Sequence, residues 1–309
     1  MPIFEAFRAS CLACLGALVL VVPSAAADSL KLTHQGVERT AVLLRPAAGA
    51  DGPMPLIVAL HGLGGSGENF SKWQLFEPLA EQERFITLYP SAIEGQWSYG
   101  RPVVRPMPMV GGETVDDLGF LRLLTDDLIG QKVADPARIY VMGVSRGGLM
   151  AFTVACALGD RVAAVAVLIT PMTLYQRDGC KPARPVPIML IAGTQDQSQP
   201  YDGANWPLGR LMSIPETMDF WRQQHGCAQR NGRMLPHIDP TDRTQVMLIE
   251  WGSCRSGVSP LLYRVVGGGH QVPSIRAGAN PMSEERFGLR NRDIEAGDVI
   301  WAYFKRFTL

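Results

Sequence analysis

The stretch that decides the fold is residues 138–156, which read RIYVMGVSRGGLMAFTVAC. Its first half is a short apolar run typical of a buried strand, and its second half has the apolar spacing of a helix. Between the two halves lies a Gly-x-Ser-x-Gly sequence with Ser145 at its centre. A serine at such a sharp turn has strained backbone torsion angles, so its neighbours must be small, as Gly143 and Gly147 are. The stretch therefore predicts a nucleophile elbow, which exposes Ser145 at the end of a strand.

Apolar runs and helix-period segments alternate along the rest of the chain. Short, continuously apolar runs are typical of parallel strands that are covered on both faces. Their alternation with helices predicts a twisted, mostly parallel α/β sheet, and residues 30–46 predict an antiparallel hairpin at its edge. The predicted strands are 56–60, 85–89, 139–142, 163–169, 186–191 and 261–266, and the predicted helices are 115–129, 147–158, 215–224 and 293–307.

The composition argues against several classes of partner. The 309-residue chain has 29 Lys and Arg against 29 Asp and Glu, so its formal net charge is zero. Without a basic run, we expect neither a nucleic acid nor an anionic membrane as partner. No group of histidines and cysteines has the spacing of a metal site, and we expect no metal and no organic cofactor. The length favours a single domain, residues 28–309, and leaves the oligomeric state open.

The N-terminus predicts export. Residues 11–22 form an apolar run, and Ala25-Ala26-Ala27 supplies the small residues of a signal-peptide cleavage site. The apolar run is too short to span a bilayer comfortably. We therefore predict a cleaved signal peptide, residues 1–27, and a secreted or periplasmic mature protein without stable membrane insertion.

Four of the six cysteines follow the predicted signal peptide. An even number in an exported chain predicts two disulfides. Neighbour pairing, Cys156 with Cys180 and Cys227 with Cys254, closes two loops that are each worth roughly 3 to 4 kcal/mol in the chain-entropy model. The other two connectivities stay open from the sequence.

A serine hydroxyl becomes an effective nucleophile when a base takes its proton and an acid orients that base. His270 follows the apolar run 261–266 and three glycines, which places it on a loop at a strand end. Asp196 directly follows another predicted strand and so lies at the same edge, with Asp202 as the runner-up acid. The order Ser, Asp, His is the one found in α/β-hydrolases.

Negative charge that develops on a substrate carbonyl oxygen needs two backbone N–H donors. We expect one from Arg146, at the start of the elbow helix. We expect the second from Leu63, in the glycine-rich loop after strand 56–60, with Gly64 as the alternative. His61 is expected to support this loop rather than to act as the base.

Loops at the carboxyl ends of parallel strands bind ligands in open α/β sheets. Two loops of unusual composition, 97–112 and 195–211, together with the residue after His270, are therefore candidates to contact substrate. The residues that we predict to line the substrate site are Trp97, Tyr201, Trp206 and Gln271.

Six segments together carry a resemblance to a known family: 60–66, 115–120, 140–150, 193–196, 216–221 and 267–270. They resemble secreted polyhydroxybutyrate depolymerase-like and feruloyl esterase-like α/β-hydrolases. The resemblance implies the α/β-hydrolase fold, with Ser145 as nucleophile, Asp196 as acid and His270 as base. It also implies pairing of Cys227 with Cys254.

The resemblance implies a secreted serine esterase that forms an acyl-enzyme on a small or polymeric ester, foremost a polyhydroxyalkanoate or 3-hydroxybutyrate oligomer. Two departures affect the substrate: Leu63 stands where polymer-degrading members often have cysteine, and Val272-Pro273-Ser274 replaces a Trp-Pro-Gly-like stretch. Feruloyl or other aromatic cell-wall esters are the alternative. A peptidase or acyltransferase could use the same residues, because a triad fixes the chemistry but not the acceptor.

The disulfide prediction is tested by thiol titration of the denatured mature protein. We expect no free thiol before reduction and four after it, because all four cysteines of the mature chain are expected to pair. Four free thiols in the unreduced protein would contradict the prediction.

Overall fold

The computed structural model describes residues 26–47, 52–100, 109–110, 113–206, 209–278 and 280–309. The predicted signal peptide lies outside these residues except for Ala26 and Ala27, which begin the first strand. The strands are Ala26–His34 (β1), Val37–Arg45 (β2), Met54–Leu60 (β3), Ile86–Pro90 (β4), Met109–Val110 (β5), Glu113–Thr114 (β6), Ala134–Val144 (β7), Ala164–Leu168 (β8), Ile188–Gly193 (β9), Ala204–Trp206 (β10), Gly209–Leu211 (β11), Cys227–Met234 (β12), Gln245–Cys254 (β13) and Leu261–Val266 (β14). The helices are Gly67–Ser71 (α1), Glu77–Glu83 (α2), Asp117–Gly130 (α3), Arg146–Ala157 (α4), Leu174–Gly179 (α5), Ile214–His225 (α6), Pro281–Phe287 (α7) and Ala296–Phe304 (α8).

Ten strands form one sheet in the order β1-β2-β4-β3-β7-β8-β9-β14-β13-β12. The six strands from β4 to β14 are parallel, whereas β1 and β2 at one edge and β13 and β12 at the other are antiparallel. The sequence-based predictions of a mostly parallel α/β sheet and of an N-terminal antiparallel hairpin are therefore confirmed. Each predicted parallel strand and each of the four predicted helices has a counterpart, with bounds shifted by a few residues.

Two strands at the far edge were not predicted from the sequence. Seven of the eight residues of β12 are exposed, so this strand shows neither a continuous apolar run nor clear alternation. Its pairing with β13 places Cys227 directly opposite Cys254, and these two residues form a disulfide. Cys156 and Cys180 form the second disulfide, which joins the end of α4 to the end of α5. The neighbour pairing is the one that the structure contains.

Apolar side chains cover the sheet on both faces. One core cluster includes residues of α3, α4 and α6, and a second cluster, on the opposite face, includes residues of α2 and α8. In the second cluster the rings of Phe85 and Trp301 stack with centroids 4.1 Å apart. Burial of each such side chain is worth about 1.5–3 kcal/mol, which explains why the central strands are mostly apolar. Among the described residues, none of the helices has both the length and the apolar character needed to cross a bilayer.

The parallel strands bring four loops to one edge of the sheet, because their carboxyl ends all lie there. β3 ends at Leu60, β7 at Val144, β9 at Gly193 and β14 at Val266. The loops that follow these strands contain the residues that the sequence singled out for chemistry. The parallel order of the sheet therefore gathers residues that are far apart in the chain.

Backbone contacts between α4 and the neighbouring strands exclude side chains at the elbow. A β-carbon on Gly147 would lie 2.2 Å from the carbonyl oxygen of Leu60 and 2.6 Å from that of His61. A β-carbon on Gly143 would lie 2.1 Å from the carbonyl oxygen of Gly147. All three distances to carbonyl oxygens are far below van der Waals contact, so the small residues expected on either side of Ser145 are required by the packing.

A paired substitution tests this constraint. Gly147→Ala should lower the free energy of unfolding by about 1–3 kcal/mol, because the added methyl group must push α4 away from β3. Gly130→Ala is the control, since a β-carbon at this position in α3 meets no atom within 4 Å. Alanine should leave stability at this helical site unchanged or raise it by up to about 1 kcal/mol. Urea unfolding measures both; equal midpoints for the two variants would contradict the packing argument.

Candidate active site

Ser145 lies on a strained turn between β7 and α4. Its backbone torsion angles are φ 55° and ψ −117°, which few residues other than glycine adopt. Its N–H donates to the carbonyl oxygen of Leu168 at 2.9 Å, which ties the turn to the neighbouring strand β8. The predicted elbow geometry is therefore confirmed, and the sheet holds the strain in place.

A chain of hydrogen bonds links Ser145 to His270 and His270 to Asp196. The Oγ of Ser145 lies 3.0 Å from Nε2 of His270, and Nδ1 of His270 lies 2.7 Å from Oδ2 of Asp196. An ionised carboxylate only accepts hydrogen bonds, so with Asp196 charged Nδ1 carries the proton and Nε2 is free to accept one from Ser145. This is the arrangement that a general base needs to activate a hydroxyl.

Asp196 is held by the backbone of its own loop. Its Oδ1 accepts hydrogen bonds from the N–H groups of Ser198 and Gln199, both at 2.8 Å, while Oδ2 faces His270. The residue is 6% exposed, whereas the runner-up acid Asp202 is exposed to solvent. Of the two acids, the structure brings Asp196 to the histidine.

The loop after β9, which contains Asp196 (the acid loop), and the loop after β14, which contains His270 (the histidine loop), are joined directly. The N–H of Gln195 donates to the carbonyl oxygen of Gly268 at 2.8 Å, and the N–H of Gly267 donates to Oγ1 of Thr194 at 2.9 Å. These contacts extend the pairing of β9 with β14 beyond the strand ends. Thr194 was not identified from the sequence, although its position between a strand end and an acid was an available signal.

The loop after β3 lies beside the serine. A β-carbon on Gly62 would lie 3.6 Å from the Cβ of Ser145. The N–H of Gly64 donates to the carbonyl oxygen of Gly95 at 2.9 Å, so this alternative donor is already used. Within the described residues, the N–H groups of Leu63 and Arg146 have no acceptor.

His61 supports that loop in its neutral form. Its Nε2 accepts a hydrogen bond from the N–H of Ala92 at 3.1 Å, and its Nδ1 lies 2.7 Å from the carbonyl oxygen of Gly62. Since a backbone N–H only donates, Nδ1 must carry the proton of this ring. Burial lowers the pKa of His61 from its ordinary value of 6.5, while the bond to Gly62 opposes that shift. The expected supporting role agrees with these contacts.

Two of the residues that were predicted to contact substrate are buried. Trp97 is 0% exposed, and its Nε1 donates to the carbonyl oxygen of His61 at 2.8 Å. Gln271 is 8% exposed, and its side-chain amide is bonded to protein groups, among them Arg290. Both side chains are buried because their polar groups find partners in neighbouring loops. In this structure both side chains contact neighbouring loops, and a substrate contact for either one stays a prediction.

The remaining two predicted contacts lie on the next loop. Tyr201 is 9% exposed and lines a cavity of about 440 Å³ between α6 and the β12–β13 hairpin. Since neither the Ser145–His270–Asp196 chain nor the loop after β3 contributes to the lining of this cavity, Tyr201 is also not placed as a contact. The side chain of Trp206 lies outside the described residues.

The other histidines have structural partners. Nε2 of His225 lies 3.0 Å from the carbonyl oxygen of Val186, and Nδ1 of His237 lies 3.1 Å from the carboxylate of Asp293. In the part of the chain that the structure describes, no three His, Cys, Asp or Glu side chains come together as a metal site would require. The candidate site brings together Ser145, His270 and Asp196, and beside them lie the N–H groups of Leu63 and Arg146, which have no acceptor among the described residues.

Known proteins resemble this chain in sequence and fold. Feruloyl esterase B of Piromyces equi is 27% identical over 232 residues, which cover 71% of this chain and 40% of that enzyme. Feruloyl esterase D of Neurospora crassa is 24% identical over 268 residues, which cover 83% of this chain and 77% of that enzyme. The solved acetyl xylan esterase from Aspergillus awamori shares the fold, with a TM-score of 0.59 at 17% identity over 90% of this chain and 99% of that one.

A family model also matches the chain. The model describes the alpha/beta hydrolase family and matches residues 57–281, which include β3, the elbow and the histidine loop. The match agrees with the mostly parallel sheet and with the position of Ser145 at a strand end. Because the matched residues make up most of this chain, the chain belongs to the alpha/beta hydrolase family.

Proposed function

We propose that this protein is a serine hydrolase that cleaves carboxylic esters through an acyl-enzyme. The observation that carries the proposal is the hydrogen-bond chain from Ser145 through His270 to Asp196. Such a chain activates a hydroxyl that is otherwise a poor nucleophile, and Ser145 lies half-buried at a strand end and is not enclosed in the core. The relatives named above are esterases, which supports ester hydrolysis as the reaction.

The geometry supports the following steps. Oγ of Ser145 attacks the acyl carbon while Nε2 of His270 takes the hydroxyl proton, and a tetrahedral intermediate forms. When the bond from the acyl carbon to the alcohol oxygen breaks, His270 gives that proton to the leaving alcohol. Water then attacks the acyl-enzyme with His270 again as base, which releases the acid and restores Ser145. Asp196 keeps the ring oriented and stabilises its charged form in both halves.

The negative oxygen of each intermediate needs donors that are already in position. We assign this role to the N–H groups of Leu63 and Arg146, since both lack an acceptor among the described residues and both lie on segments next to Ser145. Each donor of this kind is worth about 2.7–4 kcal/mol. His61 would act indirectly, by holding the loop that carries Leu63.

We propose esters of plant cell-wall polysaccharides as the substrate class. The names feruloyl esterase and acetyl xylan esterase among the relatives favour these esters. The side chain of Leu63 is 58% exposed, so an apolar surface lies beside the elbow and suits an apolar acyl group. Hydroxybutyrate oligomers and polymers, which the sequence placed first, become the alternative substrate class. The two disulfides support the predicted export, since such bonds persist in oxidising compartments.

Substitutions at the candidate nucleophile and at the two candidate acids test the catalytic assignment. Ser145→Ala should abolish hydrolysis of a soluble chromogenic ester, with a loss of at least about 10⁴-fold in kcat, because no nucleophile is left. Asp196→Asn should cost on the order of 10⁴-fold by favouring the wrong tautomer of His270. Asp202→Asn is the matched control and should retain activity, since Asp202 is solvent-exposed. Retained turnover in Ser145→Ala, or equal losses in the two Asp variants, would refute the assignment.

A substrate panel tests the proposed ester class. We expect kcat/KM for methyl ferulate or acetylated xylan to exceed that for soluble hydroxybutyrate oligomers by at least about tenfold, which corresponds to about 1.4 kcal/mol of transition-state binding. The control for peptidase activity is a nitroanilide, an amide that carries the same acyl group as an ester that the enzyme hydrolyses. This amide should not be cleaved. Faster hydrolysis of hydroxybutyrate oligomers would overturn the substrate class while leaving the esterase proposal intact.

A further inference from the structure

The side chain of Gln271, next to the proposed base, has all of its polar atoms engaged. Its Oε1 accepts from Oγ of Ser283 at 3.0 Å and from Nε and Nη2 of Arg290 at 3.2 and 3.0 Å. Its Nε2 donates to the carbonyl oxygen of Gly288. Because a guanidinium only donates and a carbonyl only accepts, these partners fix the orientation of the amide. A buried side chain with this many directed bonds has little freedom to move.

All of these partners belong to residues 281–290, the segment formed by α7 and the chain directly after it. This helix has no buried residue, and Met282 is 80% exposed. Burial of apolar surface therefore contributes little to the position of the segment. Polar contacts must hold it, and those to Gln271 connect it to the histidine loop.

The same segment pairs with the backbone of the base itself. The N–H of His270 donates to the carbonyl oxygen of Phe287 at 2.6 Å, and the N–H of Gly269 donates to that of Leu289 at 2.9 Å. A β-carbon on Gly288 would lie 2.8 Å from the Cα of Gly269, so the two backbones are in direct contact. A shift of the segment would therefore move the histidine.

The close contacts continue from the histidine loop to the acid loop. A β-carbon on Gly193 would lie 2.3 Å from the carbonyl oxygen of Gly268 and 2.5 Å from that of Gly269. Three backbone segments are thus in direct contact, with no space for a side chain at these points. They are residues 281–290, the histidine loop and the start of the acid loop. Packed layers of this kind transmit displacement rather than absorb it.

We propose that Gln271 is a positioning residue for the reaction, one that fastens residues 281–290 to the histidine loop and thereby keeps Nε2 of His270 at Oγ of Ser145. The inference rests on the proposed function, since it assigns Gln271 a part in the same site. Gln271 acts through His270, so its loss should affect the chemical step more than substrate binding. A displacement of about 1 Å in such a geometry costs on the order of 10²-fold in rate.

The variant Gln271→Ala tests the proposal in the full chain. We expect kcat for a soluble chromogenic ester to fall about 10- to 100-fold, with KM changed by less than about twofold. The rate at which a fluorophosphonate modifies Ser145 should fall in parallel, because that reaction needs the same base but no ester. Gln271→Glu keeps the oxygen that accepts from Arg290 and loses the donor to Gly288, so its kcat should lie between wild type and Gln271→Ala.

Glu285→Ala is the matched control, because Glu285 is exposed on the same helix. Its kcat and labelling rate should equal those of the wild type. If Gln271→Ala lowers the Tm but leaves both kcat and the labelling rate unchanged, the residue is structural only and the proposal is overturned. If Gln271→Ala does not fold, the same comparison is made with Gln271→Glu below its Tm, and unchanged rates there overturn the proposal equally.

The labelling also separates the two proposals. A wild-type protein whose Ser145 does not react with the fluorophosphonate contradicts the proposed function as a whole. A wild-type protein that reacts, with a Gln271→Ala variant that reacts equally fast, contradicts the positioning role alone.

Discussion

The structure depends on a contact between backbones at Gly147, where the first turn of α4 rests on the carbonyl oxygens at the end of β3. This contact sets how closely the start of α4 approaches the end of β3, from which the loop of Leu63 continues. A side chain at this point would move Ser145 and Arg146 away from the loop of Leu63, which carries the second proposed donor. One steric constraint therefore holds Ser145, with its strained torsion angles, close to the loop of Leu63.

Around this contact, neutral polar groups determine the arrangement of the loops. His61 is buried and uses both ring nitrogens for backbone groups, so it holds the segments 61–64 and 92–97 together without a charge. Gln271 has a comparable role on the other side of the serine, where it joins the histidine loop to residues 281–290. Neutral side chains suit these positions, because a buried unpaired charge would cost far more than a satisfied amide or imidazole.

The fold and the candidate triad could be predicted from the sequence because their signals are local. A buried parallel strand is apolar throughout, and the loops that follow such strands meet at one edge, so Ser145, Asp196 and His270 could be placed without knowledge of the packing. The sequence contains no comparable local signal for the direction in which a side chain points. Trp97 and Gln271 were expected at the substrate because they lie on the right loops, yet both face inward, toward partners 36 and 19 residues away. The β12–β13 hairpin was missed because an exposed edge strand has no apolar pattern.

That exposed edge has a further consequence for the behaviour of the protein at high concentration. An outer strand presents unpaired N–H and C=O groups to which the outer strand of another molecule can pair. The formal net charge of the chain is zero, so overall charge does not keep copies of the protein apart. β12 carries Arg230 and Arg233 on its exposed length. Like charges brought together by the pairing of two β12 strands repel, so these two side chains oppose the growth of the ten-stranded sheet through this edge.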